Sequence, residues 1–416
     1  MKKVFRKIHL WLSVPFGIFI TLICFSGAMI VFEKEVTELF RHDLYFVKEI
    51  KEKPLPIDSL MQMVSSTLPD SVSVMSVTVS PDAGRTWQGS LSKPRRASLY
   101  VNPYTGEVTG RGEKLPFYDT MFHLHRWMLG SSTGFGKLIV GISTLMLIVI
   151  LLTGILMWLT NRRKPLKKSL AISFSKGWPR FWHDLHVAGG IYATLFLLAL
   201  AMTGLTWSFS WYRTGFYGMF GVESSAERHG YSRAQDGNSA NERSDHKRNH
   251  GNGERNHNRM RGERIIQSGQ QNVTEHRSHH GHGRKGRHYH EEDGTSLFVY
   301  WQEINDELAK MYPGYRQITL SEGSASVVPS GRNSLRAVDR FDFDTESGKI
   351  IGKTSYADQD KSTHVRSAVY TVHVGSWGGL VTRIITFLAA LLGATLPLTG
   401  YYLWIRRLLG KSRNKH

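Results

Sequence analysis

The chain has 416 residues, a formal net charge of +19 and a single cysteine, Cys24, so a disulfide framework is excluded. A charge of this size is typical either of a nucleic-acid-binding protein with a basic face or of a membrane protein with basic loops beside apolar segments. Because very apolar and very polar stretches alternate along the chain, we favour the membrane protein and expect no nucleic-acid partner.

Four stretches of about 20 or more mostly apolar residues are long enough to cross about 30 Å of hydrocarbon as helices. The first has a basic start, as a cleaved signal peptide does, but it is longer than a signal core of about 7–15 residues. We therefore expect a retained helix. The predicted order is transmembrane helix 1 (1–33), external domain 1 (34–135), transmembrane helix 2 (136–160), basic loop (161–185), transmembrane helix 3 (186–211), external domain 2 (212–379), transmembrane helix 4 (380–405) and basic tail (406–416).

Basic residues beside these stretches indicate the orientation of the chain. The start of the chain, the loop between helices 2 and 3 and the tail together carry sixteen Lys and Arg residues and one acid, Asp184. Short loops rich in Lys and Arg stay on the cytoplasmic side of a membrane. We therefore predict a multi-pass protein with both termini in the cytoplasm and two large external segments.

The two halves of the chain share a pattern of histidine followed by glycine. In helices 1 and 3 the glycine comes 18 residues after the histidine, and in helices 2 and 4 it comes 29 and 27 residues after. Each of these glycines follows a Ser or Thr. The four pairs are His9 with Gly27, His125 with Gly154, His186 with Gly204, and His373 with Gly400.

The external segments repeat as well. The stretch "VNPYTGEVTG" (101–110) aligns without gaps with "FDTESGKIIG" (343–352), and each predicts two strands joined by a turn at Gly106 or Gly348. Such self-similarity indicates an internal repeat. We therefore predict an α-helical membrane protein, with a four-helix transmembrane bundle of two duplicated helix pairs, each with an external α+β domain.

Residues 222–294 interrupt the second external segment. This stretch is rich in Gly, Asn, Arg, Ser and His, and it holds ten of the nineteen histidines. Its composition cannot bury a core, which predicts disorder. It is either a solvated insert of no fixed role or a weak, pH-dependent metal-capturing segment, because it lacks the fixed spacing of a structural zinc site.

The histidines of the repeat lie at the ends of the predicted helices. His9 and His186 lie at the cytoplasmic ends, and His125 and His373 lie at the external ends. Pseudo-twofold symmetry would bring the two histidines at each end of the bundle together as a facing pair. A lone histidine at a helix end is usually an interfacial residue, whereas two facing imidazoles are good axial ligands for haem iron, and four-helix bundles host sites of this kind.

Other chemistry fits these pairs less well. Zinc sites need three or four ligands, and no cysteine or acid is placed to complete such a site here. Proton relays usually include Asp or Glu within the spans, and the apolar stretches have none. His183 is a rival of His186, because it lies three residues earlier on the same helix face. His123 is a rival of His125, but a spacing of two residues puts it on a different face.

The glycines lie at the levels of the histidines. Because helix direction alternates, Gly27 and Gly204 lie near the external histidine pair, and Gly154 and Gly400 lie near the cytoplasmic pair. One hypothesis is that these glycines make room for a porphyrin. The other is ordinary helix packing, since small residues are common where membrane helices touch.

These motifs resemble the PepSY-associated transmembrane helix family. The resemblance lies in "LHRWMLG…LTGILMW", "DLHVAGG…MTGLTW" and the repeated "VNPYTGEV"-like hairpins, and it covers nearly the whole chain except 222–294. The family includes inner-membrane ferric-siderophore reductases with two b-type haems. The resemblance implies a bacterial inner membrane, periplasmic PepSY-like domains, and haem b, two per chain, bound by His9, His125, His186 and His373, with His183 as the alternative to His186.

The resemblance also implies a reaction. Electrons would pass from a cytoplasmic donor or a quinol to a ferric siderophore or another ferric chelate, and ferrous iron would be released for uptake. A separate donor is needed, because no G-x-G-x-x-G fingerprint opens a βαβ unit here. The alternatives are a PepSY-domain regulatory or interaction protein without redox activity, a periplasmic metal-handling protein that uses the His-rich insert, and one haem instead of two.

Overall fold

The computed structural model describes residues 2–94, 97–160, 170–222, 298–332 and 335–413. Apart from Val222, the predicted disordered insert lies outside the described residues, and so does most of the Lys/Arg-rich part of the basic loop. The helices of the described chain are α1 (Lys2–Ile30), α2 (Glu33–Phe40), α3 (His42–Tyr45), α4 (Ile57–Ser66), α5 (Pro116–Trp127), α6 (Phe135–Leu159), α7 (Trp178–Asp184), α8 (Gly190–Ser208), α9 (Ser210–Gly218), α10 (Trp301–Met311), α11 (Lys361–His373) and α12 (Gly379–Arg413).

Among the described residues, four helical segments are long and apolar enough to cross a membrane, which confirms the predicted number of spans. Three correspond to α1, α6 and α12 and lie close to their predicted positions. The third in chain order begins earlier than predicted, because α7 continues through a π-helical turn, Leu185–Gly189, into α8. Gly189 lies beside α12, and a Cβ there would make an ordinary contact with Leu392 at 3.6 Å.

The spanning helices pack as a four-helix bundle. Helices α1 and α8 each pack against both α6 and α12, so α1 and α8 lie diagonally opposite each other. Apolar side chains fill the middle of the bundle, including Ile20, Leu151, Leu197 and Ala394. We call the end where α1 begins and α12 ends the terminus end, and the opposite end the sheet end.

The strands of both external segments form one antiparallel sheet of eight strands in the described chain. Its order is β4-β3-β2-β1-β5-β6-β7-β8, and the central pair β1–β5 joins the two segments. The sequence predicted one external domain in each half, whereas the structure continues the sheet from one half into the other. The strands are β1 (Val74–Val79), β2 (Trp87–Leu91), β3 (Ser98–Val101), β4 (Val108–Arg111), β5 (Gln317–Ser321), β6 (Ser324–Val328), β7 (Asp339–Phe343) and β8 (Ile350–Thr354).

Two equivalent hairpins close the outer parts of the sheet. Gly106 between β3 and β4 has a φ of +76°, and Gly348 between β7 and β8 has a φ of +67°. Each glycine N–H donates to the carbonyl oxygen four residues earlier, on Asn102 or Asp344, over 2.9 Å. A positive φ favours glycine. The predicted hairpin turns are therefore confirmed.

The two faces of the sheet differ in polarity. Helices α4 and α10 cover one face, where Leu60 and Ile304 pack with strand residues such as Val77 and Leu320 in a common core. The other face carries polar side chains on the central strands. The Oγ1 atoms of Thr78 and Thr319 lie 2.9 Å apart there.

Candidate functional site

Two histidines face each other at the terminus end of the bundle. His9 lies on α1 and His186 in the π-helical turn, and their ring centroids are 6.4 Å apart with the ring planes at 89°. The Nδ1–H group of His9 donates to the carbonyl oxygen of Ile150 on α6 over 3.1 Å. His186 donates in the same way to Leu396 on α12 over 3.1 Å.

A second pair of histidines faces each other at the sheet end. His125 lies on α5 and His373 is the last residue of α11, and their ring centroids are 6.1 Å apart. His125 donates from Nδ1 to the carbonyl oxygen of Ile23 over 2.9 Å. His373 donates to the carbonyl oxygen of Leu200 over 3.1 Å.

All four histidines are anchored by the same kind of hydrogen bond. Each Nδ1–H bonds the carbonyl oxygen of the residue four before a glycine of the repeat, so the imidazole edge lies against that glycine. A Cβ built on each glycine would lie close to the Cε1 atom of the facing histidine, at 2.9 Å for Gly27 and His125, 3.1 Å for Gly204 and His373, 3.4 Å for Gly400 and His186, and 3.5 Å for Gly154 and His9. Gly27 and Gly204 therefore make room for a histidine ring, whereas a Cβ at Gly400 or Gly154 would make an ordinary contact. Contact of the glycines with a porphyrin stays a prediction.

Threonine hydroxyl groups reinforce three of these anchors. The residue before the glycine also lies near Nδ1, with its Oγ1 atom 3.2 Å away for Thr153 and His9 and 2.9 Å away for Thr399 and His186. The same contact is 3.0 Å for Thr203, which lies beside His373. At the fourth anchor, Ser26 donates to carbonyl oxygens of its own helix instead.

The anchors fix which ring nitrogen carries the proton. A carbonyl oxygen can only accept, so Nδ1 must donate, and the neutral ring then keeps its lone pair on Nε2. Within the described part of the chain, the hydrogen bonds of these four rings all involve Nδ1. Backbone anchoring of Nδ1–H is a common outer-shell feature of histidines that bind metal through Nε2.

The two rival histidines lie away from the pairs. His183 contacts the carboxylate of Asp184 over 3.3 Å, and its side chain is 48% exposed. The Nδ1–H group of His123 donates to the carbonyl oxygen of Asp119 over 2.9 Å, and its ring packs against Trp127. The structure therefore pairs His9 with His186 and His125 with His373. His183 and His123 lie outside both pairs.

The separation of the paired rings fits one metal ion between them. Imidazole nitrogens bind metals at about 2 Å, so two rings on opposite sides of one ion have centroids about 6 Å apart. Within the described residues, no group of three or more His, Cys, Asp or Glu side chains is placed to hold a metal ion. Each pair therefore offers two nitrogen ligands, and any further ligands would come from a bound group.

A cavity of about 1440 Å³ lies between the sheet-end pair and the sheet. His125, His373 and Trp207 line its base, and polar residues of the central strands, such as Thr78 and Gln317, line its roof. Trp207 contacts His373 edge-on, with ring centroids 5.0 Å apart. The sheet-end pair thus lies at the base of a cavity that has a polar roof.

Charged side chains line this cavity unevenly. Nine are basic and five are acidic. One acid, Glu35, accepts hydrogen bonds from Arg383, and these bonds lower the pKa of the Glu35 carboxyl below its usual value. Sequence reasoning did not single out the basic lining residues, because they are spread over helices, strand ends and loops without a shared motif.

A buried acid lies behind the cavity wall. Burial alone would raise the pKa of Asp339, but the Tyr356 N–H at 2.7 Å, the Tyr312 hydroxyl at 3.0 Å and the Arg332 guanidinium at 3.1 Å hold that pKa below its usual range. The carboxylate thereby ties the β6–β7 loop to the segment after β8.

Comparison with known proteins identifies the family. A search of curated proteins finds no match. A protein-family model described as "PepSY-associated TM region" matches residues 6–407, from the first turn of the first spanning helix into the last. On this match the chain is a member of the PepSY-associated TM region family.

Proposed function

We propose that this protein is a haem-carrying membrane reductase that passes electrons to a ferric chelate, such as a ferric siderophore, at the sheet end. The observation that carries this proposal is the presence of two facing histidine pairs, one at each end of the bundle, anchored by the same rule. A cytoplasmic protein or a membrane quinol would supply the electrons. Two haem b groups per chain, one per pair, follow from the two sites.

The residues present suit haem better than a free metal ion. A haem supplies four equatorial nitrogens and needs only two axial ligands, which is the number each pair offers. When bound, it supplies one-electron transfer, and one electron converts Fe³⁺ to Fe²⁺. Hard-oxygen chelators hold Fe²⁺ weakly, so reduction releases the iron.

The chain itself would hold and orient the redox centres. His9 and His186 at one end and His125 and His373 at the other supply the axial nitrogens, and the backbone anchors fix the direction of each ring. The apolar middle of the bundle keeps water away from the space between the two levels. The cavity lets a chelate approach the sheet-end pair.

The setting of the protein follows from its charges. The terminus end carries the basic residues of the chain start and the last turns of α12, and the basic loop joins α6 to α7. We therefore place that end in the cytoplasm and the sheet in the periplasm of a bacterial inner membrane. The mirrored strand order and the equivalent hairpins support a duplicated unit with two PepSY-like halves.

The first test is a dithionite-reduced minus oxidised absorption spectrum of the purified full-length protein, with its haem-to-protein ratio. We expect a b-type α-band and about two haems per chain. His125→Ala and His186→Ala should each remove about one haem. His123→Ala and His183→Ala are matched controls, and they should keep both.

A second test measures the reaction. Dithionite-reduced protein mixed anaerobically with a ferric chelate should be reoxidised, and a ferrous-specific dye should record the released iron. A colourless protein from cells grown with ample haem would contradict the proposal and favour a regulatory role. Replacing 223–294 by a short Gly/Ser linker should leave the haem ratio unchanged, whereas a metal-handling protein would lose its metal binding.

A further inference from the structure

We propose that the terminus end of the bundle is the docking surface for an acidic one-electron carrier protein, of the class that holds an iron–sulfur cluster. The carrier would donate its electron to the site of the terminus-end histidine pair. This inference rests on the proposed function, because it names the electron donor of that same site, a protein and not a membrane quinol. The observation that carries it is a group of exposed basic side chains around that pair.

The positive charge of the terminus end is not balanced by acids of the described chain. The described stretches at that end are 2–10, 170–186 and 401–413, and their acid, Asp184, is buried and already paired with Arg180 over 2.8 Å. The same stretches include six exposed basic side chains that form no ion pair within the described residues. We call these six the basic face: Lys3, Arg6, Lys7, Lys176, Arg406 and Arg407.

The basic face lies on helix ends that adjoin the terminus-end pair. Arg6 precedes His9 by three residues on α1, so it lies one turn further out on the same side of the helix. Arg407 follows Gly400, the glycine that faces His186, by seven residues, which places it about 10 Å further out along α12. Helix α12 packs against both α1 and α7, so these ends are neighbours. A carrier on the basic face would therefore lie about two helical turns from the pair.

The helices are long enough to carry the basic face past the hydrocarbon of a membrane. Helix α12 has 35 residues, which corresponds to a length of about 50 Å, whereas the hydrocarbon is about 30 Å thick. The span that contains α7 and α8 has 31 residues, or about 45 Å. Arg406 and Arg407 lie in the last turns of α12. The basic face is therefore accessible from the aqueous side.

Exposed aromatic side chains lie beside the basic face. Phe174 is 81% exposed and Trp178 is 71% exposed, and they flank Lys176 in the sequence. Both belong to one aromatic cluster, because Phe174 contacts Phe181 with ring centroids 5.4 Å apart and Trp178 stacks on Trp182 at 6.0 Å. Trp and Arg are the residues that most often dominate the binding energy of protein interfaces. The surface thus offers a protein partner both charge and contact area.

The sign of the charge selects an acidic donor. A positive surface speeds the encounter with an acidic protein and repels a basic one, and salt screens both effects. One electron leaves the cluster of the carrier, which is oxidised, and enters the site held by His9 and His186, which is reduced. No bond forms or breaks, and no proton has to move. A quinol would instead release two protons with its two electrons.

The test measures how oxidised ferredoxin, a small acidic iron–sulfur protein, binds the full-length, haem-loaded protein in nanodiscs of neutral phosphatidylcholine. Oxidised ferredoxin has no electron to donate, so binding is measured without turnover. We expect the affinity to fall at least about tenfold when the salt concentration rises from about 0.05 M to about 0.5 M. Cytochrome c, a basic carrier, should not bind at either concentration.

Two variants test the basic face itself. Arg6→Gln combined with Arg407→Gln should weaken ferredoxin binding about tenfold at low salt and leave the haem ratio unchanged. Arg340→Gln is the matched control, because Arg340 is an exposed arginine of β7, at the sheet. In stopped-flow mixing with reduced ferredoxin, the double variant should also be reduced about tenfold more slowly than the control. The salt series on the original protein tests the inference even if the double variant does not fold.

Four results would overturn the inference. Ferredoxin binding could be independent of salt, or the double variant could bind as tightly as the original protein. The double variant could lose bound phosphatidylglycerol while its ferredoxin affinity stays the same, which would assign the basic face to anionic lipid. Decylubiquinol could reduce the protein faster than reduced ferredoxin, which would assign the donor to a quinol.

The proposed function fails separately from this inference. A protein without haem would contradict the reductase, while its ferredoxin titration would still report whether the basic face binds an acidic carrier. A haem-loaded protein that ferredoxin does not bind would contradict the docking surface and leave the reductase in place.

Discussion

Replacing Gly27 by alanine tests the link between the repeated glycines and the histidine pairs. A Cβ at position 27 would lie 2.9 Å from Cε1 and 3.1 Å from Nδ1 of His125. The His125 ring cannot simply rotate away, because its Nδ1–H is held by the carbonyl oxygen of Ile23 at 2.9 Å. The substitution should therefore displace His125, the proposed axial ligand of a sheet-end haem, while leaving the terminus-end pair intact.

Two opposing contributions decide the effect of Gly27→Ala on stability and haem binding. Alanine is favoured over glycine inside a helix by about 1 kcal/mol, so α1 itself should become more stable. Ordinary carbon contacts begin near 3.5 Å, so the ring must move by about half an ångström, and overpacking of this kind costs about 1–3 kcal/mol. We expect a helix that folds normally and a sheet-end haem that is lost or weakly bound.

The assay is the haem-to-protein ratio together with the reduced α-band of the purified variant. Gly154→Ala is the matched substitution at the other level, because its Cβ would lie 3.5 Å from His9, an ordinary contact. Gly215→Ala in α9 controls for helix propensity alone, since no atom lies within 4 Å of the new Cβ. Both controls should keep two haems.

The four glycine variants should differ in how much haem they lose. The contact distances predict the largest loss for Gly27→Ala, a smaller one for Gly204→Ala, and the smallest for Gly400→Ala and Gly154→Ala. A Gly27→Ala protein with two haems and unshifted redox potentials would show that the glycine serves only helix packing. Equal haem loss from all four variants would point to general misfolding.

Three further predictions concern anchoring and stability. Thr399→Val removes one of the two acceptors near Nδ1 of His186, so the terminus-end haem should gain up to about 40 mV in midpoint potential by spectroelectrochemical titration, and Thr399→Ser should restore it. Asp339→Asn should lower the melting temperature at pH 7, because a buried carboxylate with charge-assisted bonds is lost, at a cost of about 2–3 kcal/mol. The pKa of Asp339 is lower in the folded protein than in the unfolded chain, so its stabilisation is complete above the unfolded pKa of about 4 and is lost as the pH falls through the folded pKa. In the variant, the melting temperature should lose this dependence on acid pH. A variant with the same pH profile as the original protein would contradict the prediction. Gly348→Ala should destabilise the sheet, because φ is +67° and the new Cβ would lie within 3 Å of the Tyr300 ring, and limited proteolysis should detect this without a change in haem ratio.

Some features of this protein follow from local sequence patterns. Apolar length predicts the spans, and the shared spacing of histidine and glycine predicts which levels of the bundle they occupy. Gly106 and Gly348 are predicted as turns because a positive φ leaves few other residues possible. Each of these features depends on residues within a few tens of positions of one another in the sequence.

Other features depend on contacts between distant parts of the chain. The pairing of β1 with β5 joins segments more than 200 residues apart, and nothing in either strand alone specifies it. The π-helical turn that carries His186 lies against α12 near Leu392, a residue far away in the sequence. The contact of Arg336 with the ring of Tyr370 on α11 likewise joins distant segments, so it has no local signal in the sequence.

The anchoring rule explains how the bundle orients four histidines without acidic partners. A metal-binding histidine often donates its second N–H to a carboxylate, but a charged residue within a membrane span costs about 2.5–3.5 kcal/mol. A helical carbonyl already accepts one bond from the residue four later, and it keeps a second lone pair. When that later residue is glycine, the absence of a Cβ lets an imidazole reach the lone pair, as at Ile23 and Gly27. One small residue on the facing helix thus replaces an acid, which accounts for spans that orient their histidines without Asp or Glu.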